Sequence, residues 1–205
     1  YQPLRVLAKG SDIPYSVGLT RIDCGIARVT TQQSLDFAKR YRDNENPTID
    51  NVVMNPGRSA ISLSSDAATT ATVAHGKHVT LRTSWPSCPL KPHCGDGFCG
   101  AGEDRTNCAD DCSDPHGCTG SEPYVAFDPA ARKLVDRREA MRVSWYATDG
   151  TFDHDRSGRA EAEAATTYSD NGWLAPDKRG PVRVWVVLRD DRGGVGFGSY
   201  FIVVQ

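Results

Sequence analysis

Apolar and polar residues alternate strictly along much of the second half of the chain. Val182, Val184, Val186 and Leu188 share one face of an extended segment, Asp190 to Gly194 supply a turn, and Phe197 to Val204 return. This pattern predicts a β-hairpin. Met141, Val143, Trp145 and Ala147 alternate with Arg142, Ser144 and Tyr146, and Asp149-Gly150 marks the next turn. Upstream, His78 to Trp85 places Val79, Leu81, Thr83 and Trp85 on one face before Pro86 ends the run. A shorter strand is expected over Thr48 to Met54, closed by Asn55-Pro56-Gly57, and another within 165–174, closed by Ala175-Pro176. Residues 62–74 read as a loop or weak strand, and residues 158–165, small and charged, as an exposed segment. Short alternating strands between Gly and Pro turns predict an all-β fold, a β-sandwich over residues 47–205.

The N-terminal residues 1–46 carry a weaker pattern. Leu4 to Ala8 is a short apolar run, and Val17 to Val29 alternates loosely enough for one or two strands. A short helix is expected from Ser34 to Arg42, with Ser34 as N-cap and Leu35, Ala38 and Tyr41 on one side. Arg42 to Pro47 reads as a linker. So short a segment seldom builds its own core, so residues 1–46 are expected to end a preceding module or to pair with a partner. The chain opens at Tyr1 and no signal peptide is recognised, which is expected of a mature chain or of part of a longer one.

Composition narrows the functional classes. A net charge of −2 over 205 residues and a pI near 6.2 give no overall attraction to nucleic acid or to an anionic membrane. The basic run Arg132-Lys133 and Arg137-Arg138 reads as a solvated face. No apolar stretch approaches the roughly 18 residues that span a bilayer. Six of the seven cysteines, Cys88, Cys94, Cys99, Cys108, Cys112 and Cys118, fall in one insert, residues 88–118. Neither C-x2-C nor C-x2-C-H occurs, which disfavours structural zinc and c-type haem. Six cysteines in a glycine-rich segment read as three disulfides, hence an oxidising compartment: periplasm, cell surface or extracellular space. Cys24 is then the odd one, either a buried thiol or one with a partner outside the insert.

The insert is also acidic. Residues 94–112 carry five carboxylates against Arg105 alone, a net charge of −4. A hard divalent cation would relieve that repulsion, and calcium takes several oxygen ligands in flexible geometry. The candidate ligands are Asp96, Glu103 and Asp111, with Asp110 or water completing the shell; the alternative is a solvated acidic loop without an ion. Asp153, Asp155, Ser157 and Gly158 fall where an EF-hand loop has ligands and its glycine, but Ala164 stands where the bidentate Glu belongs, so the segment reads as a turn. Catalytic motifs are lacking: no G-x-S-x-G, no H-E-x-x-H and no phosphate loop. A non-enzymatic role is therefore expected. On the outer face, alternation places Tyr146 and Trp185 as surface-binding candidates.

The run Val143-Ser-Trp-Tyr-Ala-Thr-Asp-Gly150, followed by Trp173-Leu-Ala-Pro176 and the last two strands, resembles PKD-type Ig-like domains of bacterial surface proteins. That resemblance implies an Ig-like β-sandwich with Trp145 in its core, Asp149-Gly150 as a turn, and the insert as a disulfide-rich loop. Cys94-Gly-Asp-Gly-x-Cys99, Glu103, Cys108 and Asp111-Cys112 resemble a secreted bacterial repeat distantly similar to calcium-binding LNR modules. Of the fifteen connectivities that six cysteines allow, the favoured one is Cys94–Cys108, Cys99–Cys112 and Cys88–Cys118. Together these features imply a structural or adhesive module contacting other protein subunits of a surface or filament-like assembly. The alternative is a carbohydrate-binding accessory of a secreted hydrolase, with Tyr146 and Trp185 as its platform.

Overall fold

Alternation over 182–188 makes one side of a strand wholly apolar, and that side must be covered. In the computed structural model, which describes residues 2–6, 16–20, 26, 29–66, 71–89, 93–100, 102–113 and 117–205, the first two segments as strands only, a second sheet covers it. Cys24 and His116 lie outside the described residues. The elements in chain order are β1 (Gln2–Val6), β2 (Ser16–Thr20), α1 (Thr31–Arg40), β3 (Asn51–Met54), β4 (Ile61–Ser62), β5 (Ala71–Val73), β6 (His78–Ser84) and α2 (Ala109–Cys112). There follow β7 (Pro123–Asp128), β8 (Lys133–Arg138), β9 (Met141–Ala147), β10 (Thr151–Phe152), β11 (Arg156–Arg159), a 3-10 turn at Glu161–Glu163, β12 (Tyr168–Leu174), β13 (Gly180–Arg189) and β14 (Val195–Val204).

Two five-stranded sheets, in the orders β10-β12-β6-β3-β4 and β11-β9-β13-β14-β5, share one core. All their pairings are antiparallel except β14–β5. Val52, Met54, Val79, Leu81 and Trp173 face Val143, Trp145, Val182, Val184, Val186, Leu188 and Ile202, all at most 4% exposed. The β13–β14 hairpin runs ten residues in register, from Gly180 opposite Val204 to Arg189 opposite Val195. Two glycines fit this packing closely. Gly150 has φ +81°, and a Cβ there would stand 2.6 Å from the Trp173 ring. On β14, a Cβ at Gly196 would stand 1.9 Å from the Pro47 carbonyl, so only glycine lets the chain at 47–48 cross the strand.

The molecule is not all-β. Helix α1 lies on an additional hairpin, β7–β8, and α2 sits inside the insert, so the fold is mixed α/β. This corrects the all-β, Ig-like expectation. That expectation rested on strand patterns around the core and contained no helix-on-hairpin layer. Most of the basic run forms strand β8, in which Lys133 and Arg137 stay exposed, as does Arg132 before it, while Arg138 is half-buried. Arg137 pairs with Glu161 at 2.7 Å, and Arg138 donates to the Pro89 carbonyl at 2.9 Å.

Helix α1 also starts earlier than expected. Thr30, not Ser34, is the N-cap: its hydroxyl accepts from the Gln33 amide at 3.1 Å, and the Gln33 side chain accepts from the Thr30 amide at 3.0 Å. This reciprocal pair is a capping box. The face turned to the hairpin holds Phe37, the buried residue of the helix, whereas Leu35 is 61% exposed and Ala38 is exposed as well. Docking is largely polar: Gln33 donates to the Arg132 carbonyl at 2.9 Å, and Arg40 pairs with Asp136. A helix anchored by one ring and side-chain hydrogen bonds leaves no apolar stripe to read.

Trp173 is fully buried between the sheets. Trp173→Ala should lower unfolding free energy by about 3–5 kcal/mol in urea titration, because the cavity adds to the lost transfer energy. Phe197→Ala, at 78% exposure, should change it by less than about 0.5 kcal/mol.

Candidate functional site

Three regions concentrate polar chemistry: the insert, a buried ionic knot, and the outer face of the β9–β13–β14 sheet. In the insert, disulfides join Cys94 to Cys108 and Cys99 to Cys112, while Cys88–Cys118 closes its base. Between them, Asp111 is 8% exposed and serves as an acceptor for three consecutive amides. Its Oδ2 accepts from Gly95 at 2.5 Å and Asp96 at 3.3 Å, and its Oδ1 from Gly97 at 3.1 Å. Gly95 and Gly97 both have positive φ, which curls their amides toward the carboxylate.

The other acidic residues of the insert behave similarly. Asp96 accepts from the amides of Phe98 and His93, each at 3.0 Å, and Glu103 from the Gly100 amide at 2.7 Å. Asp104, which carried no assignment, accepts from Thr106 and Asn107, and these bonds, led by the Thr106 hydroxyl, hold its carboxyl below the usual range. Asp110 is exposed. The carboxylates thus neutralise backbone donors of a loop that has no regular ladder to satisfy them. Among the described residues, the ligating atoms that lie together belong to Cys94, Cys108 and Asp111, and the two sulfurs are joined in a disulfide, which offers no thiolate. Amides thus answer part of the repulsion that suggested a cation, and nothing in the described geometry favours calcium in particular.

The knot lies where residues 41–47, the exit of the insert and the β13–β14 turn meet. Arg192, only 3% exposed at its side chain, contacts Glu122 at 3.2 Å and Glu139 at 3.4 Å, and donates to the Arg42 carbonyl at 2.5 Å. Glu122 also accepts from the Cys118 amide at 3.0 Å, and Glu139 from the Glu122 amide at 3.1 Å. Asp190 accepts from the amides of Arg192, Gly193 and Gly194 and from the Asn44 side chain. One guanidinium therefore serves two buried carboxyl groups. Burial, with Asp190 and Glu122 nearby, pushes Glu139 up to about 9 against the pull of Arg192. Burial likewise raises Glu122 to about 7, again opposed by Arg192. The knot is enclosed, and its groups bind one another.

The β9–β13–β14 face is different. Inward positions are filled by the core, so Arg142, Ser144 and Tyr146 of β9, Arg183, Trp185, Val187 and Arg189 of β13, and Val195, Phe197, Ser199 and Phe201 of β14 point outward. The register places Tyr146 and Ser199 directly opposite Trp185, with Phe197 and Phe201 on its two diagonals. Trp185 is half-buried, Tyr146 is 53% exposed and Phe197 78%. Arg183 lies over both Trp185, at 5.5 Å, and Phe201, at 5.2 Å, within the range of cation–π attraction. Arg156 of β11 extends the face beside Ser144. Beyond Arg183, a shallow hollow is lined by Thr148, Asp149, Lys178, Arg179 and Gly180. Strand alternation indicated Tyr146 and Trp185; Phe197, Phe201 and the arginines were not singled out, although the same alternation carries them.

His78 and Asp153 form an exposed hydrogen-bonded pair at 2.9 Å, and the described hydrogen bonds of that imidazole go to Asp153 alone. Residues 153–155 lead into β11, which takes up 156–158, and Asp155 offers its carbonyl to the Trp145 amide. No described helix is long and apolar enough to cross a membrane.

Two outcomes follow from the insert and the knot. In Asp111→Ala, hydrogen exchange at the Gly95 and Gly97 amides should accelerate about 10–100-fold, because a buried acceptor worth roughly 1–3 kcal/mol is gone. Glu122 and Glu139 hold their protons more tightly folded than unfolded, so their contribution to stability is complete below the ordinary value of 4.5. It is lost as pH rises through about 7 for Glu122 and about 9 for Glu139. Urea denaturation from pH 5 to pH 9.5 should show falling stability, and Glu139→Gln should flatten the upper part of that fall.

In comparisons with known proteins, no family model, no curated protein and no solved structure matches the chain. The mixed α/β fold corrects the resemblance to a PKD-type Ig-like domain carrying an LNR-like insert, and with it the all-β architecture.

Proposed function

We propose that this protein is a non-enzymatic carbohydrate-binding module working outside the cytoplasm, with the outer face of the β9–β13–β14 sheet as its binding surface. The observation that carries this reading is the aromatic cluster around Trp185. Tyr146 and Trp185 stand side by side on adjacent strands, and Phe197 and Phe201 flank them. Large rings at such exposure add nothing to the core on the opposite side of the sheet. Flat aromatic surfaces backed by a rigid sheet suit the C–H faces of sugar rings, and Tyr and Trp add a polar edge. Three disulfides support an oxidising compartment. The adhesive role expected with Ig-like architecture is not retained, since that architecture does not hold.

Affinity electrophoresis against a panel of soluble polysaccharides tests the reading. The wild-type chain should be retarded by at least one polysaccharide. Trp185→Ala and Tyr146→Ala should each weaken that retardation about tenfold or more while leaving the thermal melt within a few degrees of wild type. Absence of retardation across the panel, or retardation unchanged in both variants, overturns it.

A further inference from the structure

The charges around the aromatic cluster go further than its shape. The outward positions of β9, β11, β13 and β14 carry Arg142, Arg156, Arg183 and Arg189 and no aspartate or glutamate. The chain as a whole has net charge −2. A face with four arginines and no carboxylate is therefore a local reversal rather than a reflection of composition. Elsewhere, five of the eleven arginines with described side chains form ion pairs, Arg40 with Asp36 and Asp136, Arg82 with Asp170, Arg137 with Glu161, Arg159 with Glu163, and Arg192 with Glu122 and Glu139, and Arg42, Arg105 and Arg138 donate to backbone carbonyls. None of the four outward arginines forms an ion pair with a described carboxylate. Among the described residues, Arg183 and Arg189 donate to the hydroxyls of Ser199, at 3.2 Å, and Ser144, at 3.3 Å.

We infer that the ligand of this face is an acidic polysaccharide, its ring faces stacked on Tyr146, Trp185 and Phe197 and its carboxylate or sulfate groups held by the arginine forks. The inference rests on the carbohydrate-binding reading above and specifies its ligand class. Guanidinium groups present paired donors that match either anion, and the rings beneath Arg183 orient that fork. Strands stand ~4.8 Å apart, about the length of one pyranose unit, so rings on adjacent strands address successive sugars. The backbone groups of β9 and β13 are engaged on both sides within the sheet. A peptide could not add as a strand across this face, which disfavours an acidic protein segment.

The test uses calorimetry of the intact, oxidised chain with four probes: hexagalacturonate, dextran sulfate, cellohexaose, and vesicles of phosphatidylglycerol. The variants are Trp185→Ala and the triple exchange Arg142→Gln, Arg156→Gln, Arg183→Gln, whose exposed side chains make unfolding improbable and whose melt is checked. Hexagalacturonate or dextran sulfate should bind, weaken at least tenfold in both variants, and weaken further as salt is raised. Carboxylate and sulfate are told apart by which of these two probes binds. If cellohexaose binds as tightly as either and the triple exchange has no effect while Trp185→Ala does, the carbohydrate face stands and the acidic ligand is overturned. Binding to the vesicles alone overturns both in favour of a lipid surface. No binding to any probe also overturns the acidic ligand, and the broader polysaccharide panel then decides the face itself.

Discussion

A single buried guanidinium joins the peripheral parts of this molecule to its core. Arg192 sits in the β13–β14 turn and reaches Glu122 at the exit of the insert, Glu139 at the start of β9, and the Arg42 carbonyl after α1. The chain after α1 and the exit of the insert are polar segments, whereas β9 is anchored in the core through Met141, Val143 and Trp145. Desolvating such charges is expensive, and the cost is met only when every partner is present together. The three segments are therefore locked in concert rather than one at a time. Protonation of Glu139 lets one cation serve this many carboxylates without leaving excess negative charge indoors.

The same logic of local satisfaction runs through the insert. It contains almost no apolar side chains, and disulfides limit its unfolded freedom. Disulfides do not satisfy amides, however, and a loop without a ladder exposes many of them. Asp96, Glu103, Asp104 and Asp111 take over that task, each accepting from amides a few residues away or across the loop. An acidic composition that invites a cation on paper is also what a non-repetitive backbone needs for internal capping. The two readings share a composition and differ only in where the oxygens point.

What could be read from residues alone followed periodicity. Strands β6, β9 and β13 alternate because one face of each lies in the core, and their core faces were visible for that reason. The disulfide character of the insert was legible from spacing and compartment chemistry. The docking of α1 was not, since its contact with β7–β8 runs through Gln33, Phe37 and Arg40 rather than an apolar stripe. Hairpin β7–β8 was hidden in a basic run whose charges are answered by Glu161 and by the carbonyls of residues 88 and 89. A ligand set in the insert is illegible for a related reason: carboxylate positions can be listed from sequence, but their convergence depends on loop geometry that no period encodes.

Unsatisfied chemistry, not richness of chemistry, separates the candidate surface from the rest. The knot and the insert hold more charge, yet their groups face one another at hydrogen-bond distance and are enclosed or turned to backbone. On the outer β9–β13–β14 face, three large apolar side chains, Tyr146, Val195 and Phe197, stay more than 40% exposed, and the neighbouring arginines meet rings and hydroxyls instead of carboxylates. Folding gains nothing from leaving those rings in water, since the core is complete without them. A rigid sheet with exposed rings, and with cations that meet no described carboxylate, is therefore suited to the ringed, anionic partner proposed above.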